Sequence, residues 1–308
     1  MISLKSTFNC CLLFCFFTLF TGCGPGTIEN QVEKLIITSE KKDITEIGYS
    51  LADSVNVKAP KLLIKSYPKD VINKDESSDL ISEIKKMRVI WGLEAIIYKY
   101  SKINNPKIEL CLSYITDPNQ DHNLGNDEKL DLISYGLTME NSKEKFKNIL
   151  ANSALKHDEN GMLALIQDWN KNKNPKLLYA LKFFDKKLLN HLSNLMVYDK
   201  NAVDLLARIG ESAIPKMKIE MRSSNRKKRF AAGDVLVKMI QYHPDALNTL
   251  TSAITSSGTR TIARNYPFYI RLGQKNTESI LLKALRYNFS TTMCVDYLNC
   301  GNSMLEDG

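Results

Sequence analysis

The sequence predicts an all-α protein, an α-solenoid of stacked antiparallel helix pairs. Three observations carry that expectation. Apolar residues recur three and four positions apart along most of the chain, which gathers them on one face of a helix, while strand-like alternation is hard to find. Polar breaks fall every dozen or so residues, the rhythm of short helices joined by short turns. Lastly, Asp204-Leu205-Leu206-Ala207-Arg208-Ile209-Gly210 returns thirty residues later as Asp234-Val235-Leu236-Val237-Lys238-Met239-Ile240. A repeat at a fixed period of that size is the signature of stacked units.

Taken in order, residues 1–22 form a leader. Lys5 is the only charge before an apolar run from Phe8 to Phe20. The run is too short for a membrane span, which needs about 20 residues, and suits a signal peptide's apolar region of roughly 7–15. It ends in Thr21-Gly22-Cys23, small residues followed by a cysteine. This resembles a bacterial lipoprotein signal peptide. The resemblance implies that Cys23 is the lipid attachment site, acylated (palmitate among the chains) and made the new N-terminus. Exported and lipid-anchored, the protein would sit in the cell envelope on a membrane. Gly24 stands where an aspartate would signal inner-membrane retention, which implies the outer membrane in a cell that has one. The other reading is a cleaved, soluble secretory protein in which Cys23 is incidental.

Composition bounds the rest. The net charge is +8, and one lysine lies in the leader, leaving +7 on a mature chain of 286 residues out of 308. A mildly basic exported protein meets acidic lipid head groups and envelope polymers rather than nucleic acid. Cys10, Cys11, Cys15 and Cys23 belong to the leader or anchor. Cys111, Cys294 and Cys300 remain, too few for a disulfide framework. Cys294 and Cys300 either pair in an oxidising envelope or are small buried hydrophobes.

Residues 23–42 read as an anchor, a linker and a first helix. Residues 43–195 read as a divergent helical region. There, Leu80, Ile81, Ile84, Met87, Ile90 and Trp91 form one stripe flanked by Lys85, Lys86 and Arg88. Lys143–Leu155, Met162–Trp169 and Lys176–Leu192 follow the same spacing. The breaks lie at Asn104-Asn105-Pro106, Asp158-Glu159-Asn160-Gly161, Asn170–Pro175 and Ser256-Ser257-Gly258.

Residues 196–308 carry the clear repeats. Gly210 can adopt the left-handed cap that ends a helix, and Pro215 falls where a first helical turn tolerates proline. Ser224 and Asn225 can cap a helix whose stripe is Ala231, Val235, Leu236, Met239 and Ile240. Arg208-Ile209-Gly210 recurs as Arg271-Leu272-Gly273. A degenerate copy lies upstream, where Leu51-Ala52 precedes Pro60 as Leu206-Ala207 precedes Pro215. Paired helices of this kind bury their faces by stacking on the next pair. After Leu305 the chain has Glu306-Asp307-Gly308, a short cap or a truncated one.

Leu206-Ala207-Arg208-Ile209-Gly210 with Ile214-Pro215, the basic alanine-containing Arg226–Ala232, and Tyr269–Leu305 resemble the HEAT-repeat family in its short bacterial form. The resemblance implies a superhelix with an extended binding surface and no reaction site. Short HEAT-like repeats also occur in bilin lyases and in some alkylpurine DNA glycosylases, but both do cytoplasmic work, against export.

Two local motifs remain. Asp117–Glu128 resembles an EF-hand calcium loop, with oxygen donors at Asp117, Asn119, Asp121 and Glu128 and an apolar Leu124. His122 stands where that family has the glycine of the sharp turn. Asx-rich loops between helices also arise for turn reasons alone, so a solvated loop is the other reading. The run Arg222, Arg226, Lys227, Lys228, Arg229 is either a docking site for an acidic partner or anionic lipid, or a solvated first turn.

No catalytic arrangement is found, and no cofactor is expected. His122, His157, His191 and His243 share no ligand spacing with cysteine or carboxylate. His243-Pro244 marks a helix boundary, and Trp91 and Trp169 are expected in the core. The sequence thus predicts a non-catalytic scaffold for an envelope protein partner of unknown identity, held at the membrane by its lipid anchor, with a calcium-binding module as the alternative.

Overall fold

The computed structural model describes residues 26–68 and 76–244, together with residues 282, 285, 286 and 291–298. The leader 1–22, Cys23, Cys300, the break at Ser256–Gly258 and the recurrence at Arg271–Gly273 lie outside the described residues. The protein is all-α, with no strand among the described residues. The elements are α1 (Ile28–Ile37), α2 (Lys41–Asp53), α3 (Lys58–Lys65), α4 (Glu76–Lys102), α5 (Lys107–Thr116), α6 (Asn126–Thr138) and α7 (Glu144–Lys156). Then come α8 (Asp158–Asn172), α9 (Leu177–Leu181), α10 (Asp185–Leu195), α11 (Lys200–Ile209), α12 (Ile214–Glu220) and α13 (Arg226–Tyr242). A further helix spans Thr291–Leu298. The chain forms two compact units, divided between Ala164 and Leu165.

In the first unit α2 lies along α4, and α1 and α3 pack on the same long helix. Gly48 sets the spacing. A Cβ there would stand 2.5 Å from the Ala95 Cβ and 3.1 Å from the Gly92 carbonyl oxygen, so α2 and α4 approach more closely than any larger residue permits. Leu35, Ile44, Leu51, Leu63, Leu93, Ile96 and Ile97 fill the space between them, fully buried. Tyr100 and Cys111 face each other in the same core, and burial pushes both side chains up.

The stripe predicted on α4 is not the one that is buried. Leu80 is 65 % and Ile81 69 % exposed, and Met87 is exposed as well. The core takes Val89, Leu93, Ile96 and Tyr100. At about 100° per residue these lie half a turn round the helix from Leu80, Ile84, Met87 and Trp91. The neighbours explain it. Arg88 Nη1 donates to the Ile36 carbonyl at 2.8 Å, where α1 ends, and the Trp91 ring lies 5.0 Å from the ammonium of Lys41 at the start of α2. Trp91 is consequently half-buried rather than a core residue, whereas Trp169 is fully buried.

The expected break at Asp158–Gly161 is also shorter than the sequence suggests. α7 ends at Lys156, His157 caps it, and α8 starts at Asp158, which turns the chain with φ +53°. The expected N-cap of α13 holds. Asn225 accepts from the backbone N–H of Lys227 and Lys228 at the start of α13. Gly210 ends α11 with φ +82° and ψ −141°, a glycine-favouring conformation but not the left-handed cap the sequence suggests, and Pro215 stands in the first turn of α12. The upstream copy is built alike. Leu51 and Ala52 are buried at the end of α2, and Pro60 lies in the first turn of α3.

Candidate functional site

The second unit turns the sequence repeat into contacts. α11 and α13, the helices thirty residues apart in the repeat, pack side by side. Asp204 joins them. Its carboxylate accepts from Arg208 Nε at 3.0 Å on its own helix, and from Lys238 Nζ at 2.6 Å and the Tyr242 hydroxyl at 2.5 Å on the next. The Arg208 guanidinium lies 4.1 Å from the Tyr242 ring centroid. Burial opposes ionisation of Asp204, but the bonds from Lys238, Tyr242 and Arg208 outweigh it and bring the carboxyl down to about 2. At the corner, His243 Nε2 lies 3.1 Å from the Arg208 carbonyl oxygen. A pocket of about 450 Å³ opens beside it, lined by Lys182, Asp185, Glu211, Ser212 and His243 over Leu188 and Ile209. Asp185 holds φ +40°, a strained value for a residue with a side chain.

The basic run is divided by the fold. Lys228 and Arg229 turn to their own unit. Lys228 Nζ reaches Asn194 Oδ1 at 3.4 Å and Glu220 Oε2 at 3.9 Å, and Arg229 Nη1 donates to the Ser223 and Ser224 carbonyls at 2.9 Å. Arg222, Arg226 and Lys227 are exposed. Tyr198, which the sequence analysis does not single out, stands 83 % exposed beside Lys227. The signal that could have found it is an aromatic residue in a polar break just before the Asp199 cap.

In the first unit the loop Asp117–Glu128 joins α5 to α6, as its flanking apolar stretches predict. Its oxygen donors are drawn apart. Asp117 Oδ1 accepts from the Asn119 backbone N–H at 2.9 Å, and its Oδ2 pairs with Lys156 at 2.6 Å. Glu128 Oε1 accepts from the Tyr67 hydroxyl at 2.9 Å. The Asn123 amide donates to the Lys65 and Tyr67 carbonyls at 3.2 and 2.9 Å. Lys129, a further residue that the sequence analysis passes over, is buried and donates to the Gln120 carbonyl at 3.1 Å. Burial lowers its pKa, while Asp117 and Asp121 favour its charge. The loop's negative field is thus met by two lysines of this chain.

Two histidines reach backbone carbonyls near the end of α5. His122 Nε2 lies 2.9 Å from the Tyr114 carbonyl oxygen, and His157 Nε2 lies 2.8 Å from that of Thr116. Among the described residues no group of three or more His, Cys, Asp or Glu side chains is placed to hold a metal ion. Cys111 is buried and Cys294 half-buried, both as free thiols, and no described helix is long and apolar enough to cross a membrane. Comparison of the chain with protein-family models, curated proteins and solved structures finds no match.

Proposed function

We propose that this protein is a lipid-anchored envelope scaffold, a HEAT-like helical repeat that holds a protein partner and carries out no chemistry of its own. One observation carries the reading. Repeat-equivalent helices α11 and α13 pack as neighbours, and a buried carboxylate of one repeat, Asp204, is bound by Lys238 and Tyr242 of the next. Such stacking makes a long surface out of repeated units, the usual basis of a binding scaffold. The anchor is the acylated Cys23, read from Thr21-Gly22-Cys23 at the end of the leader. A diacylglycerol on that residue suffices for firm attachment, at about 0.8 kcal/mol for each buried methylene.

Fractionation tests the anchor. Cys23→Ala should shift the protein from the membrane to the soluble fraction and remove the acyl mass from its N-terminal peptide. Retention in the membrane would refute the anchor. Purification of the acylated chain from detergent-solubilised membranes then tests the scaffold. The expected result is one protein that co-purifies at fixed stoichiometry. Reproducible recovery of the chain alone at low salt would count against it.

A further inference from the structure

Two corners of the second unit present an exposed aromatic ring and three exposed cations. Tyr198 follows α10, Arg222 follows α12, and Arg226 and Lys227 open α13. The Lys227 ammonium lies 6.0 Å from the Tyr198 ring centroid, and the Arg226 guanidinium 5.4 Å from that of Phe230. Ile219, 65 % exposed, precedes Arg222 by one helical turn. Glu220, two residues before Arg222, is buried and held by Lys216 at 3.3 Å and Lys228 at 3.9 Å, and Asp199, beside Tyr198, accepts from the Asn201 backbone N–H at 2.8 Å. The first turn of α13 contains no acid. Cations there oppose the positive end of the helix dipole, so the arrangement costs stability.

We propose that this patch docks on the head groups of an anionic phospholipid surface. The proposal rests on the lipid-anchored reading, since an acylated Cys23 keeps the chain at the head-group layer. Its composition fits that layer. Tyrosine and an exposed aliphatic side chain enter the interface, while lysine and arginine meet phosphate. Stacking on Phe230 restrains the Arg226 guanidinium, whose planar fork binds phosphate oxygens in pairs. The cations stand on long, exposed side chains of one corner, which suit mobile phosphates better than carboxylates fixed on a folded partner.

A fluorophore at Ser224→Cys reports on the patch, with the unsubstituted chain labelled in parallel as background. The full chain, purified from membranes, is reconstituted in vesicles carrying a head-group quencher, of phosphatidylcholine alone or mixed with phosphatidylglycerol. Quenching should appear with phosphatidylglycerol, fall as salt screens the surface, and weaken about fivefold for each cation lost in Arg222→Gln, Arg226→Gln or Lys227→Gln. A melting midpoint close to that of the parent shows that each variant is folded. Flotation without quenching would overturn the patch and leave the anchor standing. Absence of acyl mass would refute the anchor alone, because phosphatidylglycerol-dependent flotation and quenching of the same chain still read the patch. Equal quenching in both lipids, or quenching untouched by the charge substitutions, would overturn the proposal.

Discussion

Asp204 concentrates the physics of the second unit in one side chain. It is buried, yet three donors hold it ionised, and two of them belong to the next repeat. Replacing it with alanine strands two cations and a hydroxyl. Asp204→Ala should cost about 2 kcal/mol at neutral pH, read from urea midpoints. The pH dependence has a definite sign. The folded carboxyl titrates near 2, below its ordinary 3.8. Its contribution is therefore complete above 3.8 and disappears as pH falls towards 2, so parent and variant converge in acid. The sequence displays Asp204 as the head of a repeated heptapeptide. Its partners were hidden, because Lys238 and Tyr242 meet it only once α11 and α13 are neighbours.

At the scale of elements, corners and loops separate what periodicity reveals from what it conceals. Gly210 and Pro215 were legible because each answers a local backbone demand. Gly210 has φ +82°, and a Cβ on it would lie 2.9 Å from the His243 ring. Gly210→Ala should lower stability by about 2 kcal/mol, seen as a drop in melting midpoint. The orientation of α4 was not legible. That helix carries apolar residues on two opposite faces, and only the positions of α1, α2 and α3 decide which is buried. The loop between α5 and α6 teaches the same lesson in charge. Its acids match a calcium pattern, but Lys129 and Lys156 come from outside the core of the motif and meet them in space. Millimolar calcium should therefore leave the thermal midpoint unchanged relative to chelator. A calcium-dependent rise would show binding to the folded state.

For the whole molecule, acid is the informative stress. Burial lowers the pKa of both His122 and His157 below the ordinary 6.5, against the opposing pull of the Tyr114 and Thr116 carbonyls. The folded chain keeps these rings neutral, whereas the unfolded chain protonates them once pH drops below 6.5. Stability should thus decline as pH falls through 6.5 and onward, before the carboxylates titrate. Melting curves across that range check it, and His157→Gln should flatten the decline. The fold class was legible from periodicity and breaks alone, because short helices with polar turns leave few alternatives. The expected anchor, Cys23, lies outside the described residues and rests on the leader.

Every substantial packing contact among the described helices joins elements with at most two helices between them. A chain so arranged need not wait for its far end. Whatever delivers it end first, a ribosome or a translocation pore, releases segments that already hold their own partners. Folding can begin at whichever pair emerges and spread to the next. Threading in the unfolded state and rapid closure on the far side are compatible demands for this molecule.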